Sequence, residues 1–163
     1  MTITLSSHCA RACEKARSQN LVAQRVYVFV RSNPFRDDLK QYAKSMHCRL
    51  INPTDDTRVI TKVAKLCLKK MFKQGIYYKK IGVMLEDLTD NSLLQLDLFN
   101  QHDNDALEKK DKLMSLLDTI NTRFGSHTMK LAAEGYSQPW KMRAEMRSPC
   151  YTTRWSELPR VLI

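Results

Sequence analysis

Hydrophobic residues recur along this chain in two periods, one typical of helices and one typical of strands. A spacing of three to four positions predicts three amphipathic helices, at residues 3–22, 54–75 and 106–124. Alternation with polar residues, in segments rich in β-branched and aromatic side chains, predicts strands at 25–32, 47–52 and 77–85. This order predicts an α+β fold: a split βαβ sheet that lacks its first strand, with two helices on one face. A linker and a small helical or irregular C-terminal region are expected to follow.

The helix predicted at 54–75 separates apolar from charged residues most clearly. Thr54 or an adjacent aspartate is expected to cap its start, and Gly75 to end it. Its predicted buried face comprises Val59, Ile60, Val63, Cys67 and Met71. Its opposite face carries the cations Arg58, Lys62, Lys65, Lys69, Lys70 and Lys73. In the last helix, the predicted apolar stripe comprises Leu113, Leu116, Leu117, Ile120 and Phe124.

The predicted strands have two different faces. Val26, Val28 and Val30 are expected to point into the core, as are Ile81, Val83 and Leu85. The other face then carries Tyr27, Phe29, Arg31, Lys80, Gly82 and Met84. A surface of cations with a glycine that permits close approach suits a duplex backbone. The pattern equally allows the two aromatic rings to pack under a further element, with the lysines merely solvated.

The charge is unevenly distributed along the chain. Lys and Arg number 27 against 17 Asp and Glu, and residues 1–85 hold 17 of the basic residues but 5 of the acidic ones. Residues 86–111 reverse the balance, with 2 basic and 8 acidic side chains. A basic domain favours a polyanionic partner, and nucleic acid is the first candidate because cations release counterions from its phosphates. A soluble basic surface without such a partner is the alternative.

Several classes of protein are disfavoured. The sequence has no apolar run near the ~20 residues that a membrane span needs, and its start lacks the apolar core of a signal peptide, so we expect a cytoplasmic protein. Four glycines and scattered histidines provide no phosphate loop or nucleophile with a local partner. Cys9 and Cys13, with His8 beside them, allow a helix-borne metal site, but buried reduced cysteines are the favoured interpretation. No cofactor is expected.

The acidic segment 89–112 has the composition of a linker, yet it contains the apolar cluster 93–99. One interpretation is a short linear motif in which Leu96, Leu98 and Phe99 fill a pocket on another protein while the Gln95 amide forms hydrogen bonds. The alternative is a strand or turn that folds back onto the domain.

Three sets of residues resemble one family. Gln95-Leu-Asp-Leu-Phe99 is similar to the pentapeptide with which bacterial DNA polymerases bind the sliding clamp. Trp140-Lys-Met-Arg143 and Ser148 to Pro159 resemble the terminus of UmuC-type proteins. Residues 25–88 resemble the little-finger domain of Y-family translesion polymerases, through the segments Arg31–Phe35, Pro53–Thr57 and Gly82–Leu85. The whole chain thus resembles the C-terminal part of a UmuC-type Y-family error-prone DNA polymerase.

The resemblance implies three regions: a little-finger-like DNA-binding domain at 1–88, an acidic linker at 89–112 with its clamp-binding motif at 95–99, and a UmuC-type extension at 113–163. The implied contacts with primer-template DNA are Tyr27, Phe29, Arg31, Arg49, Lys80 and Gly82. The implied clamp contacts are Gln95, Leu96, Leu98 and Phe99, with Asp97 at a variable position. UmuD-type subunits and RecA are further implied partners, and the implied setting is SOS mutagenesis in the bacterial cytoplasm, at the nucleoid.

The resemblance also implies a non-catalytic portion, because the palm carboxylates that hold the two metal ions of Y-family polymerases have no counterpart here. Glu86-Asp87 imitates such a pair only superficially. The alternative function is a free-standing truncated protein that competes for the clamp or for polymerase accessory subunits. A sheet without its first strand has an unpaired edge, so self-association is a further expectation.

Overall fold

The computed structural model describes residues 1–93, 104–136 and 146–159. Its main elements in chain order are helix α1 (Thr2–Arg17), strands β1 (Leu21–Ser32) and β2 (Ala43–Thr54), helix α2 (Thr57–Met71), strand β3 (Tyr78–Asp90) and helix α3 (Asn104–Phe124). Single 3-10 turns follow β3 and lie in the C-terminal region. The predicted α+β class and order of elements are confirmed. Among these ranges, no helix is long and apolar enough to span a membrane.

The described sheet is antiparallel, and β1 is its central strand, between β2 and β3. Val26, Val28 and Val30 of β1 are at most 1% exposed and form the centre of the core. Helices α1 and α2 cover this face with Leu5, Cys9, Cys13, Ile60 and Met71, which confirms the prediction of two helices on one face. Ile81, Val83 and Leu85 of β3 pack against the same core, also as predicted.

The first helix is shorter than predicted, because a turn follows it directly. Residues 18–20 reverse the chain, and Asn20 adopts a positive φ of 55°. Asparagine tolerates this left-handed conformation better than most residues. Leu21 and Val22 therefore begin β1 instead of ending α1, and the strand starts four residues before its predicted position.

The outer strands extend beyond their predicted bounds. β2 includes Pro53, which has no backbone N–H to donate. Proline is tolerated here because β2 is an edge strand of the described sheet and pairs on one side alone. The pairing of β1 with β2 is irregular between Ala23 and Arg25, next to this end. β3 continues to Asp90, since Leu21, Val22 and Ala23 of the longer β1 provide partners for it. The start of the predicted acidic linker is therefore part of the sheet.

Helix α2 confirms the predicted cap and corrects one buried residue. The Asp56 side chain accepts a hydrogen bond of 2.8 Å from the Arg58 backbone N–H. Val59, predicted to be buried, is 43% exposed, whereas Ile60 is fully buried. The helix ends at Met71, four residues before Gly75, which lies in the turn to β3 with a φ of +79°.

The buried face of α3 differs from the predicted leucine stripe. Met114 is buried, while Leu113, Leu116 and Phe124 are 40%, 55% and 66% exposed. A polar contact holds the observed face of α3 against the helical layer. The Arg17 guanidinium of α1 donates bidentate hydrogen bonds of 2.6 and 2.8 Å to Asp118 of α3. Periodicity alone does not reveal such a long-range pair.

Arg17 joins three elements at this point. It also donates hydrogen bonds to the Asp55 carbonyl (2.9 Å) and to the Thr57 hydroxyl (3.0 Å), both at the start of α2. Lys110 of α3 lies 3.0 Å from the Asp55 carboxylate. Burial is the largest single influence and lowers the pKa of Arg17, but the hydrogen bonds and the charge of Asp118, together with the nearby Cys13 and Asp55, outweigh it and hold that pKa above its ordinary value. The ion pair therefore stays charged and ties α3 to the helical layer.

The corrected face of α2 gives a stability test. Ile60→Ala removes a fully buried side chain and is expected to lower the free energy of unfolding by about 2–5 kcal/mol. The matched control Val59→Ala changes a neighbouring, half-exposed residue and is expected to cost less than about 1 kcal/mol. Urea unfolding followed by circular dichroism measures both. Equal losses for the two variants would contradict the observed face of the helix.

Candidate nucleic-acid interface

The sheet face opposite the helices brings the predicted DNA-binding residues together. Tyr27, Phe29 and Arg31 alternate with the buried valines of β1 and therefore share this open face. The register places Lys80 opposite Arg31 and Gly82 opposite Phe29. Arg49 of β2 lies opposite Arg25, nearer the other end of the face. All six predicted residues thus lie on one surface, although their role in binding stays a prediction.

Aromatic rings occupy the middle of the open face. The centroids of Tyr27 and Phe29 are 6.0 Å apart, and the ring of His47 lies 4.6 Å from that of Tyr27. Met84, opposite Tyr27 on β3, is half exposed beside them. No described element covers these rings, which favours the open-surface interpretation over packing beneath a further element.

Gly82 has a local structural role that the sequence did not predict. The Phe29 ring lies over it, so closely that an added Cβ atom would overlap the ring. Glycine has no side chain to cover its own backbone in a strand. An aromatic ring on the neighbouring strand can cover that backbone and shield it from water. The space above Gly82 is therefore filled by Phe29, and a duplex would meet the ring and not the Gly82 backbone.

One end of the open face is cationic. Arg31 and Lys80 lie directly opposite each other, and neither forms an ion pair with an acid in the described part of the chain. Like charges in this position destabilise a sheet by a few tenths of a kcal/mol to about 1 kcal/mol. They border a shallow depression of about 620 Å³, whose other lining residues include Tyr27, Phe29, Lys44 and Ser45. An anion placed there would relieve the repulsion.

The other end of the face has mixed charge. Arg25 forms an ion pair of 3.0 Å with Asp87, and His47 lies 2.8 Å from the Glu86 carboxylate. Asp87 has a positive φ of 52°, so the strand is irregular where it presents this acid. Arg49 belongs to this end. Its neighbours are therefore less favourable for a phosphate than those of Arg31 and Lys80.

Sequence reasoning missed Lys44 and Ser45 of β2, because the predicted second strand began only at His47, and it assigned no role to His47 itself. The signal that could have found them is the pairing of a hairpin: once β1 extends to Ser32, its partner strand must begin soon after the turn at 33–42. Ser45 then falls opposite Phe29 on the open face, whereas Lys44 falls opposite the buried Val30 and borders the depression from the edge strand.

Cys9 and Cys13, which the sequence offered as a metal site, lie in the core beneath α1 and not at the open sheet face. Cys9 and Cys13 are fully buried, and burial raises the pKa of each thiol to about 12. Both are therefore protonated thiols, poor as nucleophiles and as metal ligands. In the ranges that the structure covers, no group of three or more His, Cys, Asp or Glu residues could hold a metal ion. The predicted burial of these two cysteines is confirmed, and neither forms a disulfide.

The predicted clamp motif, with Gln95, Leu96, Leu98 and Phe99, lies outside the described residues, as does Trp140 of the C-terminal stretch. The structure therefore neither supports nor contradicts the contacts expected of them. Helix α3, which follows, crosses the predicted boundary between linker and extension at residue 112.

Comparison with known proteins assigns the chain to a family. Residues 1–98 match the impB/mucB/samB family C-terminal domain, well over half of the chain. The chain belongs to the impB/mucB/samB family. Residues 111–161 match a domain of unknown function, DUF4113. The predicted resemblance to the C-terminal part of UmuC-type proteins is confirmed.

Individual relatives of the impB/mucB/samB family cover nearly all of the chain. Protein UmuC of Salmonella typhimurium is 41% identical over 155 residues, which make up 95% of this chain and 36% of that protein. Protein SamB of Salmonella typhimurium and Protein MucB of Escherichia coli are each 35% identical over 159 residues, or 98% of this chain and 37% of theirs. The chain thus spans little more than a third of the length of these curated relatives.

The contact between Phe29 and Gly82 gives a test by a double-mutant cycle. Gly82→Ala is expected to lower the free energy of unfolding by about 1–3 kcal/mol, because the new methyl group displaces the ring. In a Phe29→Ala background, the same change is expected to stabilise the strand by about 0.5–1 kcal/mol. Urea unfolding of the four proteins measures the coupling. Additive effects of the two substitutions would show that the ring does not lie over Gly82.

Proposed function

We propose that this chain is a DNA-binding and clamp-docking portion of a translesion DNA polymerase of SOS mutagenesis, and that it does not polymerise DNA by itself. The observation that carries the DNA-binding part is the opposed pair Arg31 and Lys80 beside half-buried aromatic rings on an uncovered sheet face. Membership of the impB/mucB/samB family supports the polymerase setting. The non-catalytic part of the proposal rests on the family resemblance, because the palm carboxylates of Y-family polymerases have no counterpart in this sequence.

The proposed interface fits the phosphate backbone of primer-template DNA. Arg31, Lys80 and the nearby Lys44 are point contacts for phosphates, which fix the position of a duplex without reading its sequence. The Tyr27 and Phe29 rings add apolar surface toward the sugars. Such binding tolerates a distorted template, as translesion synthesis requires.

DNA binding predicts a steep dependence on salt. For Arg31→Ala/Lys80→Ala, affinity for primer-template DNA is expected to fall about equally on unrelated sequences. The slope of log affinity against log salt is expected to become shallower by about 2, because two phosphate contacts are lost. Fluorescence anisotropy over a series of salt concentrations measures both effects.

A matched control removes the same charge elsewhere. Lys109→Ala/Lys112→Ala changes two exposed lysines of α3, which is not part of the sheet, and is expected to leave the salt slope nearly unchanged. Salt-insensitive binding by the unaltered chain, or none at low salt, would refute the DNA-binding proposal. If the two double variants lose equal affinity for DNA, the binding is non-specific attraction by the net charge of the chain and does not depend on the open sheet face.

The clamp-docking part of the proposal rests on the sequence Gln95-Leu-Asp-Leu-Phe99. Apolar side chains that enter a preformed pocket often carry most of the energy of such an interaction. Association with UmuD-type subunits and RecA stays a prediction of the family resemblance, with no residue assigned to it.

Leu98→Ala/Phe99→Ala tests the clamp-docking part. This double substitution is expected to weaken binding to a bacterial sliding clamp by at least a hundredfold, because both anchoring side chains are lost. Asp97→Ala, at the variable position of the motif, is the control and is expected to bind within about threefold of the unaltered chain. Isothermal titration calorimetry measures all three. Unchanged binding by the double variant would refute docking through this motif.

A further inference from the structure

The helical layer carries a second basic surface, on the side of the domain away from the open sheet face. Between Thr57 and Met71, helix α2 has five cations and no acidic residue. Its apolar side packs on the sheet through Ile60, Ala64 and Leu68. The cations therefore point away from the sheet, and this charge is separate from that of Arg31 and Lys80.

Three of these cations form a regular line, which we call the lysine stripe: Lys62, Lys65 and Lys69. At 3.6 residues per turn their positions fall within an arc of about 60° and span about 10 Å along the helix axis. Lys62 and Lys69 are exposed, and Lys65 is half-buried. None of the three forms an ion pair with an acid within 1–93, 104–136 or 146–159.

The neighbouring cation differs from the stripe in being neutralised. Arg58 lies on the same side of α2, but its guanidinium is 2.8 Å from the carboxylate of Asp56. At the far end, Lys73 lies over the ring of Tyr42, 5.2 Å from its centroid. The unneutralised charge is therefore concentrated on the stripe and on Lys70 beside it.

From this geometry we propose that the lysine stripe binds the phosphate backbone of a second nucleic-acid segment, at the same time as the sheet face holds primer-template DNA. Each strand of duplex DNA carries one phosphate per about 3.4 Å, so about three phosphates face a stripe of about 10 Å. Lysines act as flexible point charges toward phosphates and need no bidentate geometry. A convex helix without recessed apolar pockets fits a backbone better than an acidic peptide.

The two surfaces cannot hold one straight duplex, because the sheet and the helical layer lie between them. The domain is thus expected to join two segments, and a binding stoichiometry of two short duplexes per chain follows. This second site goes beyond the proposed function, and the joining of two segments rests on the proposed binding of DNA by the sheet face.

A bridging experiment tests the stripe. Two short primer-template duplexes, one with a donor dye and one with an acceptor, are mixed with the full chain at low salt, and energy transfer reports that they are joined. The unaltered chain is expected to give transfer. Lys62→Gln/Lys65→Gln/Lys69→Gln is expected to abolish transfer while anisotropy still shows one bound duplex. Circular dichroism confirms that the variant keeps its helix content.

The control variant Lys40→Gln/Lys109→Gln/Lys112→Gln removes the same charge from exposed lysines outside the stripe and is expected to keep the transfer. Absence of transfer with the unaltered chain, or transfer that the stripe variant retains, would overturn the inference; retained transfer would indicate that self-association joins the duplexes. If Arg31→Ala/Lys80→Ala binds as well as the unaltered chain and the stripe variant binds nothing, the sheet proposal fails, and the stripe remains as a single nucleic-acid site that joins no second segment. If the stripe variant binds as well as the unaltered chain and Arg31→Ala/Lys80→Ala binds nothing, the stripe inference fails and the sheet proposal stands.

Discussion

The two-residue alternation of β1 is the constraint on which the rest of this structure depends. Val26, Val28 and Val30 are buried under both helices, and this burial leaves Tyr27, Phe29 and Arg31 no place except the opposite face. A shift of the register by one residue would exchange the two sets and expose the valines. The hydrophobic core and the candidate interface are therefore two sides of one strand, and stabilising the first fixes the second.

The candidate interface also carries features that weaken the fold locally. Arg31 and Lys80 repel each other across neighbouring strands, and Gly82 gives β3 a position without a side chain. The Phe29 ring compensates for the glycine by covering it, whereas no described acid compensates for the two cations. An unrelieved repulsion at an otherwise well-paired position is typical of a surface whose partner supplies the missing negative charge.

The C-terminal helix shows where periodicity fails as a guide. Its leucines have the spacing of a buried stripe, yet the helix packs through Met114 and Asp118, because the largely buried Arg17 guanidinium requires a carboxylate beside it. A charged group that has lost its water costs several kcal/mol unless it is paired, which is more than partial exposure of a few leucines costs. Asp118 lies 101 positions from Arg17 in the chain, so no local sequence pattern predicts that the two side chains pair.

The sequence by itself determined the class of fold, the order of its elements, the faces of β1 and β3, and the cap of α2, because each follows from side-chain periods or hydrogen bonds within a few residues. It also determined the family, through motifs that are contiguous in the chain. Only the tertiary structure decided that β1 is the central strand, that Ser45 and His47 join the open face, and that Phe29 covers Gly82. These features depend on strand pairing between distant segments, where long-range packing outweighs the local preferences that sequence patterns report.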